Sequence, residues 1–284
     1  MTAPSQMRAR LVGSEPVGAY QLLTLDAPAV AAGAGPGQFV AVAVGGPGSA
    51  MLLRRAFALY TADPATGLVQ VVVAEHRPGT AWLVHSPVGT ELDLVGPLGR
   101  PFPLPAAAGT AVLVAGGYGS APMFDLARRL RERGSAVHLV LGAATGERLF
   151  GADEAPDVAD TVTVTTDDGS TGRRGLVTDG LTALVEDTAA DVLYACGPMA
   201  MLRAVGEIAA AYAVPCHVAV EEAMACGIGV CMTCVLPVIG ADGRSRMVRS
   251  CTEGPVFEAS RVRWKDVGTL PADVVGADAM GGHR

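Results

Sequence analysis

The sequence predicts a multidomain chain: an antiparallel β-barrel, an α/β domain built on a parallel sheet, and a small C-terminal unit organised by cysteines. Three observations predict it. Short apolar strands punctuated by glycine and proline fill residues 8–104; from residue 110 the rhythm becomes strand, glycine turn, helix, strand; and four of the six cysteines lie between 226 and 251.

Within the first segment, residues 38–44, 57–60 and 68–74 are apolar runs separated by turn residues, the pattern of antiparallel strands closing into a barrel. In the second, residues 110–115 form a continuous apolar strand, 116–119 a glycine turn, 121–133 a run of helical spacing, and 136–141 the next strand. That order is a βαβ unit, which demands a parallel sheet. Further strands are expected at 161–165 and 191–195. The expected units are therefore a barrel at 1–105, an α/β domain at 106–215, a cysteine domain at 216–264 and a tail at 265–284, rich in Gly, Ala and Asp and expected to be loosely ordered.

Composition narrows the function. At 284 residues the chain is long enough for two ordinary domains and a small one. Half of it is hydrophobic, yet no apolar stretch reaches the ~18 uninterrupted residues of a membrane helix, so a soluble protein without a membrane partner is expected. A net charge of −7 and the lack of a Lys/Arg stripe argue against nucleic acid, whose binding rests on neutralising phosphates. The chain opens Met1-Thr2-Ala3-Pro4 with no basic-then-apolar segment, so a cytoplasmic location is expected and disulfides are not.

Cys226, Cys231 and Cys234 stand in a C-x4-C-x2-C array, with Cys251 following. This is plant-type spacing for a [2Fe–2S] cluster, in which two irons bridged by sulfides need four thiolates. Gly227 and Gly229 permit the tight bends that aim three thiolates at one place. Zinc fits less well, since only Cys231 and Cys234 form a C-x2-C pair and no spaced histidines accompany it. Ordinary buried thiols remain the other reading, and Cys196 and Cys216 fall outside the array.

Gly116, Gly117 and Gly119 form a strand-to-helix turn whose amides and helix terminus can face a pyrophosphate, although such a turn also occurs where nothing binds. A second turn, Cys196-Gly197-Pro198, follows the last strand of the same domain. In a doubly wound sheet both turns open at the carboxyl edge, so they flank one crevice with Cys196 at its mouth. In the barrel, Arg54 and Arg55 precede Phe57 and Ala58, and Gly79-Thr80 follows His76-Arg77. Arginine can clamp a phosphate and an aromatic can stack on a flat ring, which suits a flavin diphosphate; read alone, the segment is more often a strand with solvated arginines.

Taken together, Arg55-Ala56-Phe57-Ala58, Gly96-Pro97-Leu98-Gly99, Gly116 to Pro122, Thr166 to Ser170, Cys196 to Met201, Glu221 to Cys234 and Cys251 to Phe257 resemble one family. They are similar to the electron-transfer subunit of B-type dihydroorotate dehydrogenase, within the ferredoxin-NADP reductase superfamily. The likeness runs from about Arg8 to Trp264. It implies an FAD-binding barrel, an NAD-binding domain and a C-terminal [2Fe–2S] domain.

It further implies that Arg55 holds the FAD phosphates, Phe57 lies against the flavin, and Gly79 and Thr80 help bind the pyrophosphate. Gly116, Gly117 and Gly119 would face NAD, and Cys196, Gly197 and Pro198 would sit by the nicotinamide, with Cys196 the candidate catalytic residue. Cys226, Cys231, Cys234 and Cys251 would ligate the cluster. Ala58 departs from the pattern, which has Ser or Thr there to hydrogen-bond flavin N5, and Ala56 replaces a usual proline. The implied role is electron transfer between the FMN of a dihydroorotate dehydrogenase catalytic subunit and NAD, for pyrimidine biosynthesis, in a heterotetramer. Two alternatives stay open: an NAD(P)H-dependent reductase component for another partner, such as an oxygenase, a sulfide dehydrogenase or a transhydrogenase, and a non-enzymatic iron–sulfur redox sensor. The segment from Met224 to Cys234, with Val235 to Ile239, is the expected subunit interface.

Overall fold

The structure, a computed structural model, describes residues 3–46 and 48–277. Alternating side chains in β1 (Ser5–Val17) bury Ala9 and Leu11 while Arg8 and Arg10 face solvent. β2 (Tyr20–Asp26), α1 (Pro28–Ala31), β3 (Phe39–Val42), β4 (Arg55–Asp63), β5 (Leu68–Ala74), α2 (Pro78–Val84) and β6 (Glu91–Leu98) follow. The strands close in the order β1-β2-β5-β4-β3-β6, all antiparallel, which leaves no free edge. Leu23, Val40, Val69, Val71 and Leu94 fill the interior. Burying each contributes roughly 1.5–3 kcal/mol.

The second unit carries β7 (Thr110–Gly116), α3 (Ala121–Glu132), β8 (Ala136–Ala143), α4 (Ala155–Val158), β9 (Thr161–Thr166), β10 (Arg173–Arg174), α5 (Leu181–Thr188), β11 (Val192–Cys196), α6 (Met199–Ala211) and β12 (Cys216–Ala219). After these come an antiparallel hairpin, β13 (Val235–Ile239) and β14 (Ser245–Arg249), and a last strand, β15 (Val256–Glu258). The large sheet runs β10-β9-β8-β7-β11-β12-β15 and is parallel except for β15. Helices cover both faces of β7, which is why Ala111 to Ala115 read as one unbroken apolar run. Chain order reverses between β7 and β11, so a crevice opens at their carboxyl ends. The sheet also takes β12 and β15 from beyond residue 215, tying the cysteine segment to the α/β unit.

Aromatic side chains lock the barrel against this sheet. The ring of Tyr60 meets Phe124 and Phe150 edge-on at centroid distances of 6.0 and 5.1 Å, and Tyr20 meets Phe150 at 6.5 Å. Such pairs contribute about 0.5–1.5 kcal/mol each beyond the area they bury. The Tyr60 hydroxyl donates to the Glu154 carboxylate at 2.6 Å, and the Tyr20 hydroxyl to the Arg148 carbonyl at 2.8 Å. Burial, reinforced by the Glu154 bond, pushes Tyr60 up to about 12.

The segment after Trp264 is not loose where the structure describes it. Arg263 pairs with Asp266 and Asp273, Ser245 Oγ donates to Asp273 at 3.0 Å, and the Val275 amide donates to the Ser245 carbonyl at 2.9 Å. Val274 is buried as a result. Its Gly/Ala/Asp composition suggested looseness, but Arg263, which follows β15, and Ser245 on the hairpin supply partners that composition does not reveal. The remainder of the tail lies outside the described residues. Among those described, no helix is long and apolar enough to cross a membrane.

Candidate functional site

The carboxyl ends of β7 and β11 face the barrel across a cavity of about 1050 Å³, large enough for dinucleotide-sized ligands. Its walls carry Arg55, Phe57, Ala58 and Thr80 from the barrel, Gly116, Gly117 and Gly119 from the first turn, and Cys196, Gly197 and Pro198 from the second. Residues widely separated in sequence therefore meet around one space. Gly79 stands just behind the wall, where a Cβ would lie 2.8 Å from both Nε and Nη2 of Arg55. A side chain at this position would press on the guanidinium, the movable end of Arg55.

In β4 the two-residue period turns Ala56 and Ala58 outward to the cavity, and Phe57 and Leu59 inward to the barrel core, so Phe57 reaches the cavity from the core side. The Thr80 hydroxyl accepts the His76 and Arg77 amides at 3.0 and 3.1 Å, which shapes the loop before α2. The Gly79 amide, in the first turn of α2, has no acceptor within that helix and is free to meet an anion.

The two glycine turns touch. A Cβ on Gly119 would lie 2.7 Å from the Cys196 carbonyl oxygen and 2.9 Å from Gly197 Cα. Gly119→Ala is therefore expected to wedge the turns apart, at a cost typical of overpacking, about 1–3 kcal/mol, and to weaken dinucleotide binding roughly five- to hundredfold. NADH titration of the flavin-loaded variant measures this, and unchanged affinity would show that the turns do not share the ligand.

Half-buried Cys196 sits where the second turn meets the cavity. Burial, then the nearby Glu221 carboxylate, pushes its thiol up to about 12, so it remains protonated at neutral pH and contributes shape and polarity, not a thiolate nucleophile. The Tyr118 hydroxyl donates to Glu221 Oε1 at 2.5 Å, and burial together with that carboxylate holds the phenol above its ordinary range. Desolvation also raises Glu222. Both acids line the cavity as the chain passes from β12 to the cysteine loop. Sequence reasoning gave this trio no role; its only signals were an aromatic inside a glycine turn and an acidic pair before the cysteines.

The cysteine loop lies on the other side of the barrel wall. Cys234 and Cys251 are buried against Phe39, Ala41 and Leu98, while Cys231 is exposed. Gly227 and Gly229 take φ of 73° and 82°, the left-handed conformation glycine adopts without strain. Among the described residues no three candidate ligands converge as one mononuclear site would require. The cysteines instead pair: Cys226 with Cys231, and Cys251 with Cys234, whose Sγ accepts the Cys251 amide at 3.4 Å. Against the opposing effect of burial, the amides of Cys231, Ile228 and Val230 draw the Cys226 thiol down to about 6, whereas burial and the Cys234 contact push Cys251 up to about 12. Two thiolates per iron is what a [2Fe–2S] core takes, so the donor set fits that group.

Orphaned polar atoms point the same way. Three buried side-chain oxygens among the described residues lack a hydrogen-bond partner: Thr165 Oγ1, Ser250 Oγ and Thr252 Oγ1. Thr165 lines the cavity at the end of β9 with Asp167, and the other two flank Cys251. Of the expected interface, Leu236 and Val238 pack into the chain's own core with residues of α6, and the whole middle of β13, Pro237 included, is buried. Ile228, Val230 and Met232 remain exposed beside Cys231.

Known proteins share this arrangement. Residues 221–263 match the iron–sulfur cluster binding domain of dihydroorotate dehydrogenase B, and residues 113–207 the oxidoreductase NAD-binding domain. The dihydroorotate dehydrogenase B (NAD(+)) electron transfer subunit of Geobacillus thermodenitrificans is 40% identical over 242 residues, covering 84% of this chain and 91% of that one. Its counterpart from Bacillus caldolyticus is 42% identical over 229 residues, 80% of this chain and 86% of that one. The solved NADH-dependent reduced ferredoxin-NADP oxidoreductase superposes with a TM-score of 0.80 at 29% identity, over 96% of this chain and 95% of that one. A ferredoxin NADP+ reductase from Neisseria gonorrhoeae with bound FAD and NADP shares the fold at 16% identity and a TM-score of 0.61, over 72% of this chain and 91% of that one. With a barrel, a dinucleotide crevice and paired cysteines in one chain, and relatives this similar over most of its length, the chain belongs to the family of dihydroorotate dehydrogenase B electron transfer subunits.

Proposed function

We propose that this chain carries electrons between the FMN of a dihydroorotate-oxidising partner subunit and NAD, through its own [2Fe–2S] cluster and FAD, in a cytoplasmic heterotetramer. Phe39 carries the reading. It lines the cofactor cavity, pairs with Ala58 across β3 and β4, and packs with Cys234 and Cys251 on its other side. One side chain thus separates the flavin-side cavity from the buried cysteine pair, while the exposed Cys231 end looks outward to a partner. When bound, FAD supplies the exchange between a hydride and single electrons, and the cluster supplies a one-electron relay.

The chain's own residues bind and orient. Arg55 and the Gly79 amide hold phosphate, the paired turns seat the dinucleotide, and Tyr118 fixes the Glu221 carboxylate beside Cys196 at the nicotinamide end. Asp167 and Arg148 both line the cavity, and NAD as the dinucleotide is supported by the matching NAD-binding domain and by NAD(+)-linked relatives. Ile228, Val230 and Met232 form the apolar rim against which the partner seats.

Ala58 faces the cavity without a hydroxyl. Ala58→Ser is expected to shift the flavin midpoint potential by restoring a hydrogen bond to N5, read by spectroelectrochemistry. An unmoved potential would place N5 elsewhere. The function itself is tested by co-purification and reconstitution: an FMN-containing subunit should accompany the chain, and the pair, not either part alone, should reduce NAD+ with dihydroorotate. If the pair fails while the chain still oxidises NADH with ferricyanide, a different partner is served, as the likeness to a ferredoxin-NADP oxidoreductase allows. If neither reaction occurs, the reductase reading fails.

A further inference from the structure

Two of the three orphaned hydroxyls in the described residues sit on either side of one cysteine. Ser250 is fully buried, and the Oγ1 of Thr252 is shielded although part of that residue reaches the surface. A desolvated hydroxyl without an acceptor is costly, and alanine or valine would fill the same space without that penalty. Two such groups in three successive residues therefore call for an acceptor that arrives with a ligand.

The surrounding backbone narrows the choice. The Ser250 amide donates to the Cys234 carbonyl at 2.8 Å, the Thr252 amide to the Arg249 carbonyl at 3.1 Å, and the Cys251 amide to Cys234 Sγ at 3.4 Å. On the ligand loop, the Gly229 amide faces the Cys251 thiol. Thr252 covers that same glycine: its Cγ2 lies 2.7 Å, and its Oγ1 3.6 Å, from where a Gly229 Cβ would stand. Backbone donors are thus already committed around this cysteine pair, while the two hydroxyls, one on each side of Cys251, have no acceptor among the described residues, and that of Thr252 lies against the ligand loop at Gly229. Sulfur is the acceptor that a cluster brings there.

We propose that the Ser250 and Thr252 hydroxyls donate hydrogen bonds to sulfurs on the Cys234 and Cys251 side of the [2Fe–2S] cluster and raise its reduction potential. This rests on the cluster reading above. Reduction adds a negative charge that spreads over the sulfurs, and a donor aimed at sulfur stabilises the reduced form more than the oxidised one. The two hydroxyls therefore act on the Cys234 and Cys251 side, which packs against the barrel wall, and not on the side of half-buried Cys226 and exposed Cys231.

The test uses the full chain, purified anaerobically with its cofactors. EPR-monitored titrations of Thr252→Val, Ser250→Ala and the double variant should each give a cluster potential more negative than wild type, with the largest shift in the double. Thr252→Ser, which keeps the hydroxyl, should stay near wild type, and the FAD potential should not move in any of them. Should valine block cluster assembly, Thr252→Ala leaves room and reads the same quantity. Fully loaded variants with unshifted potentials would overturn the hydrogen bonds alone. A wild-type chain without acid-labile sulfide would overturn the cluster reading, and this inference with it.

Discussion

Cys234→Ala is expected to lower iron and acid-labile sulfide from about two of each per chain to near none, because one [2Fe–2S] centre needs all four thiolates. The position is a stringent one. Cys234 is 2% exposed and shares its packing with Phe39, Ala41, Leu98 and Cys251, so no solvent ligand can take its place. The barrel should remain folded and flavin-loaded, since its core lies in a separate set of side chains. NADH oxidation with ferricyanide should therefore persist, while dihydroorotate-driven NAD+ reduction by the reconstituted pair is lost. Cys231→Ser, at the exposed position, should also lose the cluster, because serine does not supply the fourth thiolate. Iron and sulfide assays on anaerobic protein decide the matter, and stoichiometric zinc without labile sulfide would end the cluster assignment.

Arg55→Ala is expected to weaken FAD binding by about 1.5–3 kcal/mol, the worth of a charge-assisted contact to phosphate, which corresponds to roughly ten- to hundredfold in Kd. The side chain is already poised. Its Nη1 donates to the Leu53 carbonyl at 2.6 Å, and the guanidinium lies over Gly79, next to the first-turn amide of α2. Lysine at this position should restore the charge but not the paired donors, so Arg55→Lys should fall between wild type and alanine. Fluorescence of FAD released on dilution gives the Kd. An affinity equal to wild type in both variants would remove Arg55 from the phosphate site.

The amino-acid sequence by itself determined the three-part architecture and the family, because each signal was local. The two-residue period marks barrel strands, a glycine turn between strand and helix marks the crevice edge, and the spacing of Cys226, Cys231 and Cys234 needs no knowledge of the rest of the chain. It also named Cys251 and both dinucleotide turns, which the fold gathers at the cysteine loop and around the cavity. Only the tertiary structure decided how these parts face one another. Tyr118 and Glu221 are 103 positions apart and meet because β7 and β12 end at the same edge of one sheet. Phe39 reads as an ordinary strand residue, yet the closed barrel gives it the cavity on one side and the cysteine pair on the other. Ser250 and Thr252 look like common loop residues until burial leaves their hydroxyls without a partner among the described residues. Burial and register are sums over the whole chain, so no local pattern encodes them; periodicity and ligand spacing are properties of a few neighbouring residues, and those the sequence carries in full.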